Sequence, residues 1–292
     1  IKLRFFFAKK NFFMSIKITG TGSFIPKNII KNDEFLNRNF FDKDGNSYPN
    51  SNREIIDKFQ AITGIRERRY ADQNHNTSDL ATFAAENSIK SANIDKETLD
   101  YIIVAHNFGE IDANSNNYIA LPSLASLVKH KLGIENPNCV AYDLIFGCPG
   151  WVEGVIQSSA YIKTGMAKKC LVIGADTLSR TVDSNDRDSM IFADGAGASI
   201  IEESSENGGI LSHKTVTHAG KEALYLFADR SYNPESESKI KHIKMNGRKV
   251  YEFAISTIPE ALKECLEESG KKIEDVKKIF LHQANEKLDE AV

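Results

Sequence analysis

Short apolar runs alternate with segments of helical spacing along this chain, and no other feature limits its fold as strongly. Four runs have the length and composition of buried strands, at residues 100–106, 139–145, 169–176 and 276–282. An Ala-rich segment of helical spacing at 77–92 precedes the first of them. Strands that alternate with helices are typical of a layered α/β fold, in which helices cover the faces of a sheet. The sequence therefore predicts an α/β protein.

Capping residues and spacing predict further elements. Ser51 is placed to cap a helix, with Glu54 at the capping-box position. Gly133 follows another helical segment, as expected of a residue just beyond a helix end. The predicted elements are a strand at 16–23, a strand after Gly197, and helices at 51–60, 118–132, 150–163 and 250–269.

A faint internal repeat favours two similar halves. A shift of 177 positions overlays residues 102–104 on 279–281, and each run follows a helix and a short loop. We therefore expect an N-terminal half at residues 14–203 and the start of a C-terminal half at 204–292. The last residues, NEKLDEAV, have the pattern of a helix that is just beginning, so we expect the C-terminal half to be truncated.

The first residues differ from the rest of the chain. IKLRFFFAKKNFF, at residues 1–13, has neither the long apolar region nor the cleavage site of a signal peptide. We expect a leader that is non-native or disordered, with Met14 as the natural start.

The composition argues against several classes of protein. A net charge of −3 and a pI of about 6.2 give no general attraction to nucleic acid or to anionic membranes. No apolar run reaches the roughly 18–20 residues of a membrane helix. The four cysteines form no CxxC pair and no metal-type spacing with histidines. We expect a cytoplasmic protein without a metal, in which Cys139, Cys170 and Cys265 are buried as reduced thiols.

Cys148 is the strongest candidate nucleophile. It follows the run 139–145 and lies between Gly147 and Pro149, ahead of a predicted helix. Pro suits the first turn of a helix, and Gly lets the backbone bend sharply. A thiol at a helix N-terminus has a lowered pKa, and backbone N–H groups there can hold an oxyanion. The alternative is an inert cysteine in a turn.

His282 and Asn285 follow the last apolar run in the segment KKIFLHQAN. A histidine can act as a base for a cysteine, and an asparagine can donate a hydrogen bond into a cleft. The alternatives are a histidine bonded to backbone at a helix start and an asparagine that caps that helix. Since 134 positions separate His282 from Cys148, only the tertiary fold can bring them together.

Three other segments carry weaker signals. Gly20-Thr21-Gly22 and the stretch 192–198 are Gly-rich but match neither a Walker loop nor a dinucleotide fingerprint, so tight packing is the favoured interpretation. The turn 63–69 carries three arginines that could meet a phosphate or an acidic carrier protein.

Taken in order, these motifs resemble the β-ketoacyl-acyl-carrier-protein synthase III family of thiolase-fold condensing enzymes. The resemblance covers nearly the whole chain from Ile16. The matching segments are GTGSFIP (20–26), TGIRERR (63–69), FGCPGW (146–151), LVIGADTLSR (171–180), DR…FADGAGA (186–198), MNGRKVY (245–251) and HQAN (282–285).

The resemblance implies a five-layered αβαβα fold of two similar halves and a homodimer. It implies that Cys148 takes an acyl group from acyl-CoA or acyl-ACP, and that malonyl-ACP loses CO2 to give an enolate stabilised by His282 and an asparagine. The enolate then attacks the thioester, giving β-ketoacyl-ACP and initiating fatty acid biosynthesis. No metal or redox cofactor is implied. Asn285 is expected to be a supporting residue, because the family's third catalytic residue lies in a Gly-Asn segment beyond Val292.

The family's pattern also implies further site residues. Leu121, Arg187, Gly247 and Arg248 are the implied substrate-binding residues, and Lys287 and Arg66 the implied carrier-docking residues.

Three departures from the pattern bear on the substrate. Lys58 and Ile62 replace a tryptophan and an arginine that sandwich the CoA adenine in the family, so priming by CoA is expected to be weakened or replaced by carrier-bound priming. Arg248 also stands where a neutral amide is usual. Leu121 replaces a phenylalanine that closes the acyl pocket across the dimer, which predicts medium or branched primers.

Three alternatives remain open from the sequence. The same fold could serve a specialised pathway that joins a β-ketoacyl unit to a second acyl partner, as in resorcinol- or quinolone-forming enzymes. The chain could be a non-catalytic partner subunit, although Cys148 is retained. A hydrolase would use the same Cys–His pair and release a free acid.

Overall fold

The structure is a computed structural model that describes residues 15–292, so the predicted leader at 1–13 lies outside the described residues. The strands are β1 Ser15–Phe24, β2 Asn28–Lys31, β3 Glu67–Tyr70, β4 Tyr101–His106, β5 Glu110–Ile111, β6 Tyr118–Ile119, β7 Val140–Ile145, β8 Lys169–Thr177, β9 Asp194–Ser204, β10 Leu226–Asp229 and β11 His242–Met245. The α-helices are α1 Asn52–Thr63, α2 Thr77–Ala92, α3 Leu124–Lys131, α4 Gly150–Lys163, α5 Gly247–Glu268 and α6 Glu286–Ala291. Short 3-10 helices are Asn32–Phe35, Lys96–Thr98, Leu178–Arg180, Arg187–Ile191, Lys221–Leu224 and Ile273–Asp275.

A five-stranded mixed sheet forms the centre of the N-terminal half, in the order β1-β9-β8-β4-β7. β4 is parallel to both β7 and β8, whereas β9 is antiparallel to β1 and β8. The apolar runs at 100–106, 139–145 and 169–176 supply β4, β7 and β8, as predicted. Because these three strands are parallel, their carboxyl ends lie at the same end of the sheet, where α/β proteins place their catalytic and binding residues.

Helices cover both faces of this sheet. α2 and α3 pack on one face, in a core that includes Ala84, Ile102, Val128 and Ile173. Burial of one such Ile or Val side chain stabilises the fold by about 1.5–3 kcal/mol. α4 packs on the other face, so the N-terminal half has an αβα layering.

Gly20 explains the glycine-rich turn of the first strand. A Cβ on Gly20 would lie 2.5 Å from the carbonyl oxygen of Ser88 and 2.6 Å from the Cβ of Ala92. Only glycine therefore allows β1 to lie this close to α2, and the packing interpretation of this segment is confirmed.

The capping box predicted for α1 is present. Ser51 Oγ accepts a hydrogen bond from the backbone N–H of Glu54 at 3.3 Å, and the backbone N–H of Ser51 donates to Glu54 Oε2 at 2.7 Å. The helix ends at Gly64, whose φ of +77° is left-handed. The 63–66 turn therefore follows α1 directly.

The helix predicted at 118–132 is wrong in its first part. Tyr118 and Ile119 form strand β6, and the helix begins only at Leu124. Pro122 disfavours a helical backbone at the residue before it and has no N–H to donate, and Ser123 then caps α3 by accepting from the N–H of Ser126 at 3.2 Å. The end of the helix is as predicted, since Gly133 has a left-handed φ of +62°.

The strand predicted at 276–282 is not formed in the described part of the chain. After β9, which ends at Ser204, the strands of the described chain are β10 and β11, which pair with each other, so no neighbouring strand offers hydrogen-bond partners to 276–282. A strand needs such partners for its backbone N–H and C=O groups. Residues 204–292 thus supply α5, α6 and one ribbon, and the division of the chain at residue 203 stays a prediction.

Two thiols are buried as predicted, those of Cys139 and Cys170, whereas Cys265 is half-buried. None of the helices described within residues 15–292 is both long enough and apolar enough to cross a membrane.

Candidate active site

Cys148 lies in a tight turn between β7 and α4. Gly147 has a φ of +74°, a left-handed conformation that glycine adopts without strain, and the backbone N–H of Gly150 donates to Gly147 O at 2.9 Å. Cys148 is exposed at the carboxyl end of β7. The turn therefore presents the thiol at the edge of the sheet that the sequence predicted.

Two glycines of α4 fix the position of this turn. A Cβ on Gly150 would lie 2.8 Å from the Cβ of Ala105 in β4, and a Cβ on Gly154 would lie 2.7 Å from Val172 Cγ1 in β8. The helix therefore lies directly on the sheet, and a larger residue at either position would displace the helix that follows Cys148.

The thiol opens into a cavity of about 240 Å³ at the ends of the strands. The lining residues come from β4, the Cys148 turn, the first turn of α4, the end of β8 and the start of β9: Ala105, Gly147, Cys148, Trp151, Gly174, Ala175, Asp176, Ala193, Gly195, Ala196 and Gly197. The packing interpretation of the 192–198 segment holds for Ala196 and Ala198, which pack in the core, but not for Gly197, where a Cβ would meet no atom within 4 Å. The small residues there leave room beside the thiol.

Asp176 also lines the cavity, although it was not predicted from the sequence as a site residue. It ends the run LVIGAD within β8 and accepts hydrogen bonds from Asn107, from the backbone N–H at 3.0 Å and from Nδ2 at 2.7 Å. Its position as an acidic residue at the carboxyl end of a predicted strand was the available signal.

The pKa of Cys148 differs from the expectation. Burial by surrounding protein atoms raises the pKa of the thiol, and the charge of Asp176 raises it further, while the backbone N–H of Cys148 opposes both. The expected lowering by the helix N-terminus is therefore outweighed. Formation of the thiolate requires a base or a change in these surroundings.

His282 does not line the cavity that contains Cys148. Among residues 15–292 no hydrogen bond joins the two side chains, because residues 276–285 are not held in a sheet that would direct His282 to the cavity. Burial lowers the pKa of His282, and the charge of Asp289 opposes this effect. Its catalytic role stays a prediction.

Asn285 caps α6, which confirms the alternative considered for it. Its Oδ1 accepts a hydrogen bond from the backbone N–H of Leu288 at 2.9 Å. α6 packs against α1 and α5, and a Cβ on Gly64 would lie 2.7 Å from Glu286 Oε2. The HQAN segment therefore lies beside the turn that contains Arg66.

The two predicted docking cations are both on the surface of these neighbouring segments. Arg66 is exposed in the turn after α1. Lys287 is exposed on α6 and forms an ion pair with Glu290 at 2.7 Å. The structure brings their segments together, and their docking role stays a prediction.

Three of the predicted substrate-binding residues lie on two neighbouring segments. The guanidinium of Arg187 lies 4.7 Å from the ring centroid of Tyr48, in cation–π geometry. A Cβ on Gly247, the first residue of α5, would lie 3.9 Å from Asp188 Oδ2, so the 187–188 turn and the start of α5 are adjacent. Arg248 follows Gly247 and is paired with Glu252 at 2.8 Å.

Leu121, the fourth, lies in the loop between β6 and α3 and is 83% exposed. In this chain it contributes no wall to the Cys148 cavity. Its substrate-binding role stays a prediction.

The comparisons with known proteins agree with this site. Residues 142–219, which include the Cys148 turn, match the family model for 3-oxoacyl-[acyl-carrier-protein] synthase III. A curated β-ketoacyl-[acyl-carrier-protein] synthase III of Clostridium acetobutylicum is 37% identical over 94% of this chain and 79% of its own length. The enzyme of the same name from Oceanobacillus iheyensis is 35% identical over 95% and 79%.

The likeness extends to solved structures. The crystal structure of 3-oxoacyl-[acyl-carrier-protein] synthase III from Aquifex aeolicus superposes with a TM-score of 0.77 at 31% identity, covering 94% of this chain and 79% of that one. The fold and the cysteine at a strand-to-helix turn define a thiolase-like condensing enzyme, which is an acyltransferase. Within that class, the chain belongs to the β-ketoacyl-[acyl-carrier-protein] synthase III family, which confirms the predicted family, fold class and enzyme class.

Proposed function

We propose that this chain transfers an acyl group to Cys148 and condenses it with malonyl-ACP to give β-ketoacyl-ACP, the step that initiates fatty acid synthesis. The observation that carries the proposal is the Cys148 thiol, presented at the mouth of a cavity by a strand-to-helix turn in a member of this family. The names of the relatives favour this activity over the specialised-pathway alternative.

The first half-reaction is a transthioesterification at Cys148. The thiolate attacks the carbonyl carbon of the acyl thioester, a C–S bond forms to Cys148, and the C–S bond to the donor thiol breaks. The thiolate of the donor leaves and takes up the proton that Cys148 lost. The backbone N–H of Cys148 stabilises its thiolate and so lowers the pKa of the thiol, and it is our proposed donor for the oxyanion.

The second half-reaction is a decarboxylative Claisen condensation. Malonyl-ACP loses CO2, the resulting enolate carbon attacks the Cys148 thioester, and the cysteine thiolate leaves. His282 is the proposed donor to the enolate oxygen. Burial lowers the pKa of His282, so near neutral pH its neutral form is favoured and offers one N–H. No cofactor enters this scheme, and that absence is part of the proposal.

The carrier protein is the proposed partner, and Arg66 and Lys287 are its proposed docking residues. The two residues stand on segments that meet through Gly64 and Glu286. Two exposed cations on adjoining segments suit an acidic partner by charge complementarity. No nucleic acid or membrane partner is part of the proposal.

A homodimer is also proposed, formed through β7. This strand is at the edge of the sheet and pairs only with β4 within the described residues, so one row of its backbone groups is free. Val140 is 46% exposed and Ile145 is 70% exposed at its two ends. A second copy that pairs along β7 would cover both and bring its Leu121 loop towards this edge.

A cytoplasmic location completes the proposal. All four cysteines are free thiols, as is usual in reducing compartments.

Intact-protein mass spectrometry tests the function directly. The chain is incubated with acetyl-, medium-chain and branched acyl-CoA and with the same acyl groups on carrier protein, with Cys148→Ala as the control. An acyl adduct that requires Cys148, followed by β-ketoacyl-ACP when malonyl-ACP is added, is the expected result. We expect medium or branched groups, and carrier-bound donors, to react faster than acetyl-CoA.

Other outcomes would contradict the proposal. Absence of an adduct from every donor would indicate a partner subunit. Release of free acid in place of a longer thioester would indicate a hydrolase. Product formation from a β-ketoacyl donor and a second acyl partner would indicate the specialised pathway.

A further inference from the structure

We propose that Asp176 is a positioning residue for the Cys148 nucleophile: its carboxylate holds Asn107 against the Gly147–Cys148 turn, and its negative charge opposes a free thiolate at Cys148. The proposal deepens the function proposed above, because it concerns control of the same thiol.

The carboxylate and Asn107 form a two-point contact between neighbouring strand ends. Both oxygens of Asp176 lie near the backbone N–H of Asn107, at 3.0 and 3.3 Å, and Oδ2 accepts from the side-chain Nδ2 at 2.7 Å. The amide of Asn107 is thereby fixed in orientation, with its Nδ2 towards Asp176 and its Oδ1 free to face elsewhere.

Asn107 Oδ1 faces the nucleophile turn. A Cβ on Gly147 would lie 3.3 Å from this oxygen, so the amide lies beside the residue that precedes Cys148. Asp176 and Cys148 also line the same cavity. The chain of contacts therefore runs from β8 through the end of β4 to the turn after β7.

The charges that surround Asp176 come from three neighbouring elements. His106 lies at the end of β4, and its Nε2 is 3.2 Å from Asp143 of β7. Cys148 lies on the turn before α4. On β9, Asp194 is turned to other partners, since it accepts from Ser179 and Ala71. Within the described residues no lysine or arginine lines the cavity that Asp176 and Cys148 share.

The electrostatic balance follows from this arrangement. Burial raises the pKa of Asp176, and the hydrogen bonds from Asn107 and the charge of His106 oppose it. When the Cys148 thiol ionises, the charge of Asp176 disfavours this second negative charge and so raises the pKa of the thiol. For Cys148 to attack a thioester bound in the cavity, a base or the oxyanion donors must offset this electrostatic repulsion.

Alkylation of Cys148 by iodoacetamide as a function of pH tests this inference without any acyl donor. The rate is followed by intact and peptide mass spectrometry, with Cys148→Ala to identify the site. Asp176→Asn keeps an acceptor for Asn107 and removes the charge, so its alkylation profile is expected to move about one unit to lower pH. Asn107→Ala keeps the charge, so its profile is expected to stay near that of the native chain.

The positioning role has its own readout. With an accepted acyl donor, Asn107→Ala is expected to slow acylation of Cys148 about 10-fold or more, because the turn loses its support. Asp100→Asn is the matched control. Asp100 also accepts hydrogen bonds from backbone N–H groups, those of Lys168 and Lys169. It precedes β4, so it lies at the amino end of the parallel strands, away from Cys148.

Two results would overturn the proposal. One is an alkylation profile of Asp176→Asn that coincides with that of the native chain. The other result comes from Asn107→Asp, which can be measured even if Asp176→Asn does not fold. A second carboxylate beside the turn is expected to move the alkylation profile to higher pH. A profile that is unchanged or moves to lower pH would contradict the charge effect. Since alkylation needs no acyl donor, these outcomes are distinct from a failure of the proposed acyl transfer.

Discussion

Lys244 Nζ lies 2.5 Å from Asp183 Oδ2 in the interior of the protein, and neither side chain is more than 2% exposed. The same ammonium lies 3.3 Å from Asp186 Oδ2 and 3.4 Å from the ring centroid of Tyr232. This cluster could not be predicted from the sequence, because Lys244 stands in a mixed polar and apolar segment, KHIKM. Lys244 joins β11, which leads into α5, to the turn that contains Arg187.

Replacement of Lys244 by methionine is expected to destabilise the fold. Asp183 and Asp186 would be left buried without a cation, which costs about 3–5 kcal/mol in the free energy of unfolding. Urea denaturation at neutral pH measures the loss. Lys249→Met is the control, because its partner Glu252 is on the surface, and its effect should be far smaller. Equal effects of the two substitutions would show that the buried cluster contributes little.

Asp188 gives the stability of this region a defined pH dependence. Burial, and then the charge of Asp186, raise the pKa of Asp188 to about 6. Between the ordinary carboxyl pKa and this value the folded chain binds a proton that the unfolded chain has released, so stability falls as the pH rises through this range. Asp188→Asn removes the titrating carboxyl group, so the variant does not lose stability in this pH range.

Denaturation at pH 4.5 and pH 7.5 checks this sign. The free energy of unfolding of Asp188→Asn minus that of the native chain is expected to be larger at pH 7.5 than at pH 4.5, because the native chain has lost stability at the higher pH. An identical difference at both values would show that Asp188 does not titrate with a raised pKa.

Gly20→Ala tests the close approach of β1 and α2. The added Cβ would lie 2.5 Å from the backbone oxygen of Ser88, which cannot move without displacing the helix. We expect a loss of about 2 kcal/mol or more in the free energy of unfolding. Gly197→Ala, on β9 beside it, is the matched control, because its Cβ would meet no atom within 4 Å. Its stability is expected to change by less than about 0.5 kcal/mol.

Ile145→Lys tests the proposed dimer. A charged residue on the exposed edge strand would be buried against the second copy, so the substitution is expected to produce monomers in analytical ultracentrifugation. Ile18→Lys is the control, since Ile18 is 44% exposed on β1, the opposite edge strand of the sheet. A dimer that survives Ile145→Lys and dissociates with Ile18→Lys would place the interface on the other edge.

Lys287→Glu tests the docking surface. Among residues 15–292 the Lys287 ammonium is paired only with Glu290 on its own helix, and it is exposed to an acidic partner. Charge reversal is expected to raise KM for malonyl-ACP about threefold or more, and to leave acylation of Cys148 by small thioesters unchanged. Lys263→Glu, an exposed change on α5, is the control. An unchanged KM would remove Lys287 from the docking surface.

Local sequence signals were sufficient for most elements of the N-terminal half. The helices at 77–92 and 150–163 have the predicted bounds, and β4, β7 and β8 lie where the apolar runs predict them. These elements are specified by spacing, caps and glycines, which act within a few residues. Cys148 was identified for the same reason, because the Gly147–Cys148–Pro149 turn is a local feature.

The sequence by itself thus determined the family, the layered α/β fold and the position of the nucleophile at a strand end. Tertiary structure alone decided which charges surround that nucleophile. Asp176 and Asn107 are 69 positions apart, and Lys244 is 61 positions from Asp183. Such pairs form only when a sheet or a buried turn brings distant segments together, and the resulting loss of water sets their pKa shifts. The same reason explains why the apolar run at 276–282 is not a strand: its composition favours one, but a strand exists only where a neighbour pairs with it.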